Sequence, residues 1–271
     1  MKKLLFLLMF PIIGFSQYTF IPDHNFEQAL IDLGHDDIVD GKVITANINS
    51  LDTLIVHEKS ISNLKGIEAF TSLTFLGCIN TQITSLDVSK NTALIELYCG
   101  DNQLKKLDVS GCLSLTTFKC GNNQLISLDV SHNTALTKLE CRDNQLKSLL
   151  LSKNTYPSLA RIKCMNNQLK SLDLSSFIAL THLYCSDNQI TKLNVSKNTS
   201  LTHLFFGDNK VKKLNISKNL FLHSLGCDNN QLSKLDTRNN KGLKTLRCDN
   251  NKFDCDAIKA KYSDTEIFEE L

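Results

Sequence analysis

Ten cysteines are the side chains with the widest chemical scope in this 271-residue sequence. Thiols can crosslink, ligate a soft metal ion or act as nucleophiles, and their spacing separates these roles. Cys78, Cys99, Cys120 and Cys141 lie 21 residues apart. After one step of 23, Cys164 and Cys185 continue the series, Phe206 fills the next slot, and Cys227 and Cys248 complete it. There is no CxxC pair, so zinc-type ligation has no signature. Recurrence at a fixed period marks one structural column instead of partners chosen for crosslinking. In-register side chains on adjacent strands point in parallel, which suits disulfide geometry poorly. The column therefore reads as small, buried, apolar packing with free thiols; disulfides and metal ligation are the lesser alternatives. Cys112 and Cys255 lie off the column, too many repeats apart to pair with each other.

Other reactive types are abundant but do not converge. Asp129, Ser131 and His132 fall on one short segment at repeat positions, whereas a triad needs three groups meeting beside an oxyanion site. No catalytic residue and no cofactor is expected. Asp101, Asp143, Asp187 and Asp208, with Asn122, Asn166, Asn229 and Asn250, form an acidic or amide row, but the GGxGxD pattern of ion-binding coils is missing. The stretch from His35-Asp36-Asp37 to Asp40-Gly41 lacks the ligand alternation of an EF-hand. These residues read as turn formers, with no metal.

Aligned on the cysteines, nine units start at Leu73, Leu94, Leu115, Leu136, Leu159, Leu180, Leu201, Leu222 and Leu243, sharing LxxLxCxxNQLxxLDVSxNTx. In the first half of a unit, Leu139 and Cys141 alternate with Lys138, Glu140 and Arg142, the period of a half-buried strand. In the second half, Leu128 and Val130 alternate with Ser127, Asp129 and Ser131, so that side should be extended too. A lone coil of this kind cannot bury its apolar side chains, and stacking does so. The pattern closely resembles the leucine-rich repeat in its 21-residue, Cys-bearing bacterial form, preceded from Leu51 by an internalin-like unit. The resemblance covers residues 51–253. It implies a right-handed solenoid with a parallel sheet on a concave face, short extended or 3-10 segments on the outer wall, a helical N-terminal cap and gentle curvature. The recurrent Asn102, Asn123, Asn144, Asn167, Asn188, Asn209, Asn230 and Asn251 sit where the strand ends and the chain turns inward. An amide there can bond open backbone groups, and the family uses such an asparagine ladder structurally. Thr81 occupies this slot in the first unit, whose turn should be less well tied. The unit from Leu136 has 23 residues, with Tyr156-Pro157 extending its outer loop and Leu150 replacing the usual Asp; a local bulge is expected there.

The ends differ from the middle. Residues 1–16 pair Lys2 and Lys3 with an apolar run and small residues before Gln17, the form of a secretory signal peptide. No Cys follows the cleavage point, so no lipid anchor is expected. Loss of both lysines leaves 28 basic against 28 acidic residues, a balance that argues against nucleic acid as partner. Residues 17–50 should form an N-terminal cap. Asp23 caps a helix near 23–33 whose Phe26, Ala29, Leu30 and Leu33 share one face, with Gly34 as the stop. Residues 254–271 should close the other end, with Asp254 capping a short helix bearing Ala257, Ile258 and Tyr262.

Function must come from the sheet. The side chains flanking the buried Leu and Cys vary from unit to unit. Lys119, Lys138, Arg142, Arg161 and Lys163 cluster over three units with only Glu140 opposing them, and His182, Tyr184, His203 and Phe205 form an aromatic patch beside them. Exposed aromatics on a rigid sheet supply contact area at little entropic cost. Residues 67–252 hold 23 Lys/Arg against 14 Asp/Glu, while 17–66 and 253–271 are acidic. These features describe a non-catalytic exported protein, secreted or held at the cell surface or in the periplasm. It would act as a monomer without a transmembrane segment and bind a protein through the concave patch. A glycan-binding adhesin, for an anionic glycan, and a structural envelope component are the alternatives.

Overall fold

The computed structural model describes residues 17–151 and 158–260. The expected signal peptide, the Tyr156-Pro157 extension with its bulge, and Tyr262 lie outside them. Each repeat contributes one three-residue strand where apolar Leu alternates with polar neighbours. The strands are β3 (Thr53–Ile55), β4 (Phe75–Gly77), β5 (Glu96–Tyr98), β6 (Thr117–Lys119), β8 (Lys138–Glu140), β10 (Arg161–Lys163), β11 (His182–Tyr184), β12 (His203–Phe205), β13 (Ser224–Gly226) and β14 (Thr245–Arg247). They form a ten-stranded sheet that is parallel throughout, with each strand beside that of the next coil. The register pairs equivalent positions, so Leu139 lies between Phe118 and Ile162. Every column of the sequence is therefore a physical column in space. The central leucines and the cysteine side chains from Cys78 to Cys248 are fully buried in one core that runs the length of the stack.

The outer wall is less regular than its alternation suggests. Among the described residues only β7 (Ser127–Asp129) and β9 (Ser148–Leu150) pair there as strands, apart from a single bridge between Asp87 and Asp108. The reason lies in the DVS motif. The carboxylates of Asp87, Asp108, Asp129 and Asp173 each accept the backbone N–H two residues on, at 2.9–3.0 Å. Such Asx turns bend the chain after two or three extended residues. The inter-coil bond also lengthens along the wall, from 2.8 Å for Lys147 N to Ile126 O to 3.4 Å for Thr191 N to Lys170 O and Ser233 N to Lys212 O.

A second asparagine row braces this wall. Asn91, Asn133, Asn198, Asn219 and Asn240 are buried. Each Nδ2 donates to two carbonyls of the preceding coil, as Asn133 does to Val109 O and Cys112 O at 2.8 and 2.9 Å. Cys112 takes an asparagine's place in the row and directs its thiol at the corresponding carbonyls of Val88 and Asn91, 3.7 and 3.8 Å away.

Both ends are closed. Strand β1 (Tyr18–Phe20) pairs antiparallel with β2 (Lys42–Ile44) around helix α1 (His24–Asp32), and the single turn α2 (Thr45–Ile48) leads into the first coil. Asp23 Oδ1 caps α1 through the N–H groups of Asn25 and Phe26, while its Oδ2 accepts from Ser62 and Asn63 of the first coil. These bonds hold the Asp23 carboxyl below the usual carboxylate range although burial opposes them. Gly34 ends the helix at φ +79°. Phe26, Ala29 and Leu30 are buried, but Leu33, expected on the same face, is 45% exposed. It is the C-cap residue, whose N–H closes the last helical bond to Ala29 O at 3.1 Å, and its side chain stands beyond the packed part of the helix face.

At the other end, α3 (Asp256–Lys259) donates the N–H groups of Asp256 and Ala257 to Asp254 Oδ1, and Phe253 and Ile258 pack against the core. Cys248, expected among the free thiols, is instead disulfide-bonded to Cys255. Neighbours along the column run parallel, and Cys112 lies too many coils from Cys255, but the pair formed by the last column member and Cys255 meets neither obstacle. Cys255 approaches from the terminal turn, across the open end, with a Cα–Cα distance of 5.8 Å. The other eight cysteines are free and buried.

Candidate functional site

The candidate site is the outward face of the ten-stranded sheet, positioned by the ladder beneath it. Asn123 shows the common device. Its Oδ1 accepts Leu104 N of the preceding coil at 2.9 Å, and its Nδ2 donates to Cys99 O of that coil and to Cys120 O and Gly121 O of its own. Asn102, Asn144, Asn167, Asn188, Asn209, Asn230 and Asn251 bond in the same manner. Thr81, expected to leave its turn loose, is fully buried. Its hydroxyl lies 3.0 Å from Cys78 O, and Asn102 Oδ1 accepts its backbone N–H. The beginning of the sheet is thus tied by the next coil's amide.

Burial alone pushes the Cys78 and Cys164 thiols up to about 12, and it is the first cause of the upward shift at the other free thiols. A thiol that cannot ionise is neither a nucleophile nor a ready metal ligand. Among the described residues, no group of three or more His, Cys, Asp or Glu is arranged to hold a metal ion.

On the outward face, the basic cluster proves to be partly neutralised from within. Glu140 lies between Lys138 and Lys163, at 3.2 and 3.8 Å, and Arg142 pairs with Asp143 at 2.7 Å. Lys119 extends over the Tyr98 ring, 4.4 Å from its centroid. The Lys163 ammonium is driven to a lower pKa, first by burial and then by Arg161, Lys138 and Arg142, with Glu140 opposing. Five cations against two anions leave this block positive.

The aromatic patch is a stack of rings. His182 and His203 are 4.5 Å apart and 6° from parallel, and Tyr184 and Phe205 are 5.4 Å apart at 9°. His223, which the column reading left out, extends the row at 5.8 Å from His203. Its position is one residue earlier in the unit, so the strand register does not announce it. Thr181 Oγ1 lies 2.9 Å from Ala160 O and 2.8 Å from His182 Nδ1, and Thr202 Oγ1 repeats this with Thr181 O and His203 Nδ1 at 3.0 and 2.9 Å. Burial, with His203, Arg161 and Lys163 beside it, drives the His182 pKa down to about 4. Phe205, expected to be exposed, is only 6% so. Its ring lies across Gly226 of the next coil, where any β-carbon would collide with it. Ser224 and Thr245, in register with His203 on the next two strands, are buried as well.

The register, the buried thiol column and the asparagine stitching together define a leucine-rich-repeat protein with a cysteine ladder. The chain belongs to that class and is related to the Listeria internalins. The functional domain of InlJ from Listeria monocytogenes, which includes a cysteine ladder, is 31% identical, with a TM-score of 0.68 over 86% of this chain and 57% of its own. This chain therefore spans little more than half of that domain. The L. monocytogenes internalin inlF is 20% identical over 86% of this chain and 83% of its own, with a TM-score of 0.51. A chain of the Toll–Spatzle complex of Drosophila is 23% identical over 77% of this chain and 31% of its own, with a TM-score of 0.65. The last two likenesses show the fold alone. No family model and no curated protein matches the chain.

Proposed function

We propose that this is an exported, non-catalytic recognition protein that binds a protein partner through the concave face of its sheet. One observation carries the reading: varied, half-buried ionic and aromatic side chains stand in register on a sheet whose other face is fully packed. A surface built in this way loses little conformational freedom on binding, so contacts made there convert efficiently into affinity. The ring stacking supports a protein over a glycan. Tyr184 has Lys163 on one side and Phe205 on the other, and His203 lies between His182 and His223. Ring faces that a sugar would stack on are already occupied, leaving edges and polar tips for a partner. Export agrees with the leader-like first 16 residues and with the disulfide of the C-terminal cap.

Site-directed photocrosslinking tests the assignment. A photoreactive residue at Lys138 or His203 should give a discrete protein adduct on intact cells or envelope fractions, while the same residue at outer-wall Lys105 should not. Adducts formed equally from the outer wall, or none from either face, would reject recognition through the sheet.

A further inference from the structure

The outward face of the ten-stranded sheet is divided electrically along the stack. The strand and turn residues of coils 117–123, 138–144 and 161–167 contain Lys119, Lys138, Arg142, Arg161 and Lys163 against Glu140 and Asp143. Those of 182–188, 203–209 and 224–230 contain Asp187, Asp208 and Asp228, with no lysine or arginine. The centres of the two blocks lie about 14 Å apart at ~4.8 Å per strand, roughly one and a half to two Debye lengths at physiological salt.

The acidic block is convergent. Asp228 folds back over Gly207, its carboxylate 3.1–3.2 Å from where a β-carbon would stand, which brings it toward Asp208 of the preceding coil. Asn229 Nδ2 reaches Asp228 Oδ2 at 3.4 Å. Asp187 is held above its usual pKa by burial and then by Asp208, Asp228 and Asp143. His182 and Tyr184 precede Asp187, and His203 precedes Asp208, on the strands of the same coils.

We propose, building on the assignment of this face to protein binding, that its occupant is a polypeptide segment carrying both signs of charge. The segment is acidic where it crosses the coils of residues 117–167 and basic where it crosses those of residues 182–230. An anionic glycan satisfies only the first block and meets like charge over the second. Lysine or arginine, by contrast, can lay an apolar stem along the ring edges and bring its charged head to the carboxylates. Opposed fields of this kind also fix the direction in which the segment lies.

Binding of fluorescent synthetic probes to the full mature chain at low salt tests this. One probe joins four glutamates, Gly-Tyr-Gly and four arginines; a second reverses that order; a third replaces the arginines by glutamates; the fourth is a hyaluronan oligosaccharide. One of the two mixed-charge orders should bind at least tenfold more tightly than the all-glutamate peptide. Combining Asp187→Asn, Asp208→Asn and Asp228→Asn should erase that advantage without weakening the all-glutamate peptide; asparagine suits the positive φ of residues 187 and 208 and is isosteric with aspartate at 228, so folding is kept. If the all-glutamate peptide or hyaluronan binds as tightly as both mixed peptides, or the triple variant keeps the advantage, the mixed-charge proposal is overturned. Loss of acidic-probe binding in Lys138→Gln/Arg161→Gln would then show that the face still binds. If no probe responds to any of these substitutions, the proposal and the face assignment fall together.

Discussion

At the scale of single residues, the ladder amides and the thiols carry different burdens. Asn123 makes four bonds that no neighbouring side chain can replace. Asn123→Ala should therefore cost about 2–4 kcal/mol, as buried backbone groups on two coils lose their partners; urea denaturation at constant m-value measures it. The thiols should be inert: with Cys78 and Cys164 pushed to about 12, native protein at pH 8 should not react with an aromatic disulfide reagent, and unfolded protein should yield eight thiols. His182 adds a pH dependence. Its folded pKa of about 4 lies below the ordinary 6.5, so between those values the unfolded chain binds more protons than the folded one. Stability should be full above pH 6.5 and fall as pH drops toward 4. His182→Gln should flatten that part of the profile in a series of denaturation curves. Buried Leu, Cys and Asn were legible because each obeys the 21-residue period. The burial of Phe205 was not, because it depends on which residue the next coil lacks a side chain for, namely Gly226.

Among the elements, the strands were legible in place and register, and the outer wall was only partly so. Alternation at Leu128 and Val130 reports which side chains face inward, but the Asx turn that follows limits how far extended backbone can pair. The caps were harder to read because they break the period. Glu27, which took no part in the sequence argument, is buried in α1 and accepts the N–H groups of Asp40, Gly41 and Lys42 at 2.6–2.9 Å. Only the folded cap reveals that contact, 13 to 15 residues along the chain. The Cys248–Cys255 bond crosses a separation of seven residues and should stabilise mainly by restricting the unfolded chain. Cys255→Ser should lower stability by about 2 kcal/mol on a loop-closure estimate. Hydrogen exchange should localise the loss to the amides of β14 and the last turn, leaving β5 to β8 protected as before.

Across the whole molecule, stability is shared between neighbours in one dimension, so position along the stack matters as much as burial. Leu139 and Leu246 are both fully buried, yet Leu139 has strands on both sides while β14 has one. Leu139→Ala should cost about 3–5 kcal/mol and shift the main unfolding transition; Leu246→Ala should detach the last coil as a separate, earlier step in differential scanning calorimetry. The turn column extends this independence of coils to charge. Asp101, Asn122, Asp143, Asn166, Asp187, Asp208, Asn229 and Asn250 all hold φ between +50° and +55°, a region that asparagine and aspartate tolerate better than other side chains. Swapping one for the other alters a full unit of charge while leaving the chain path alone. Each coil thus holds a two-position electrical setting at one margin of the face, and related proteins can differ in what they attract there without refolding anything.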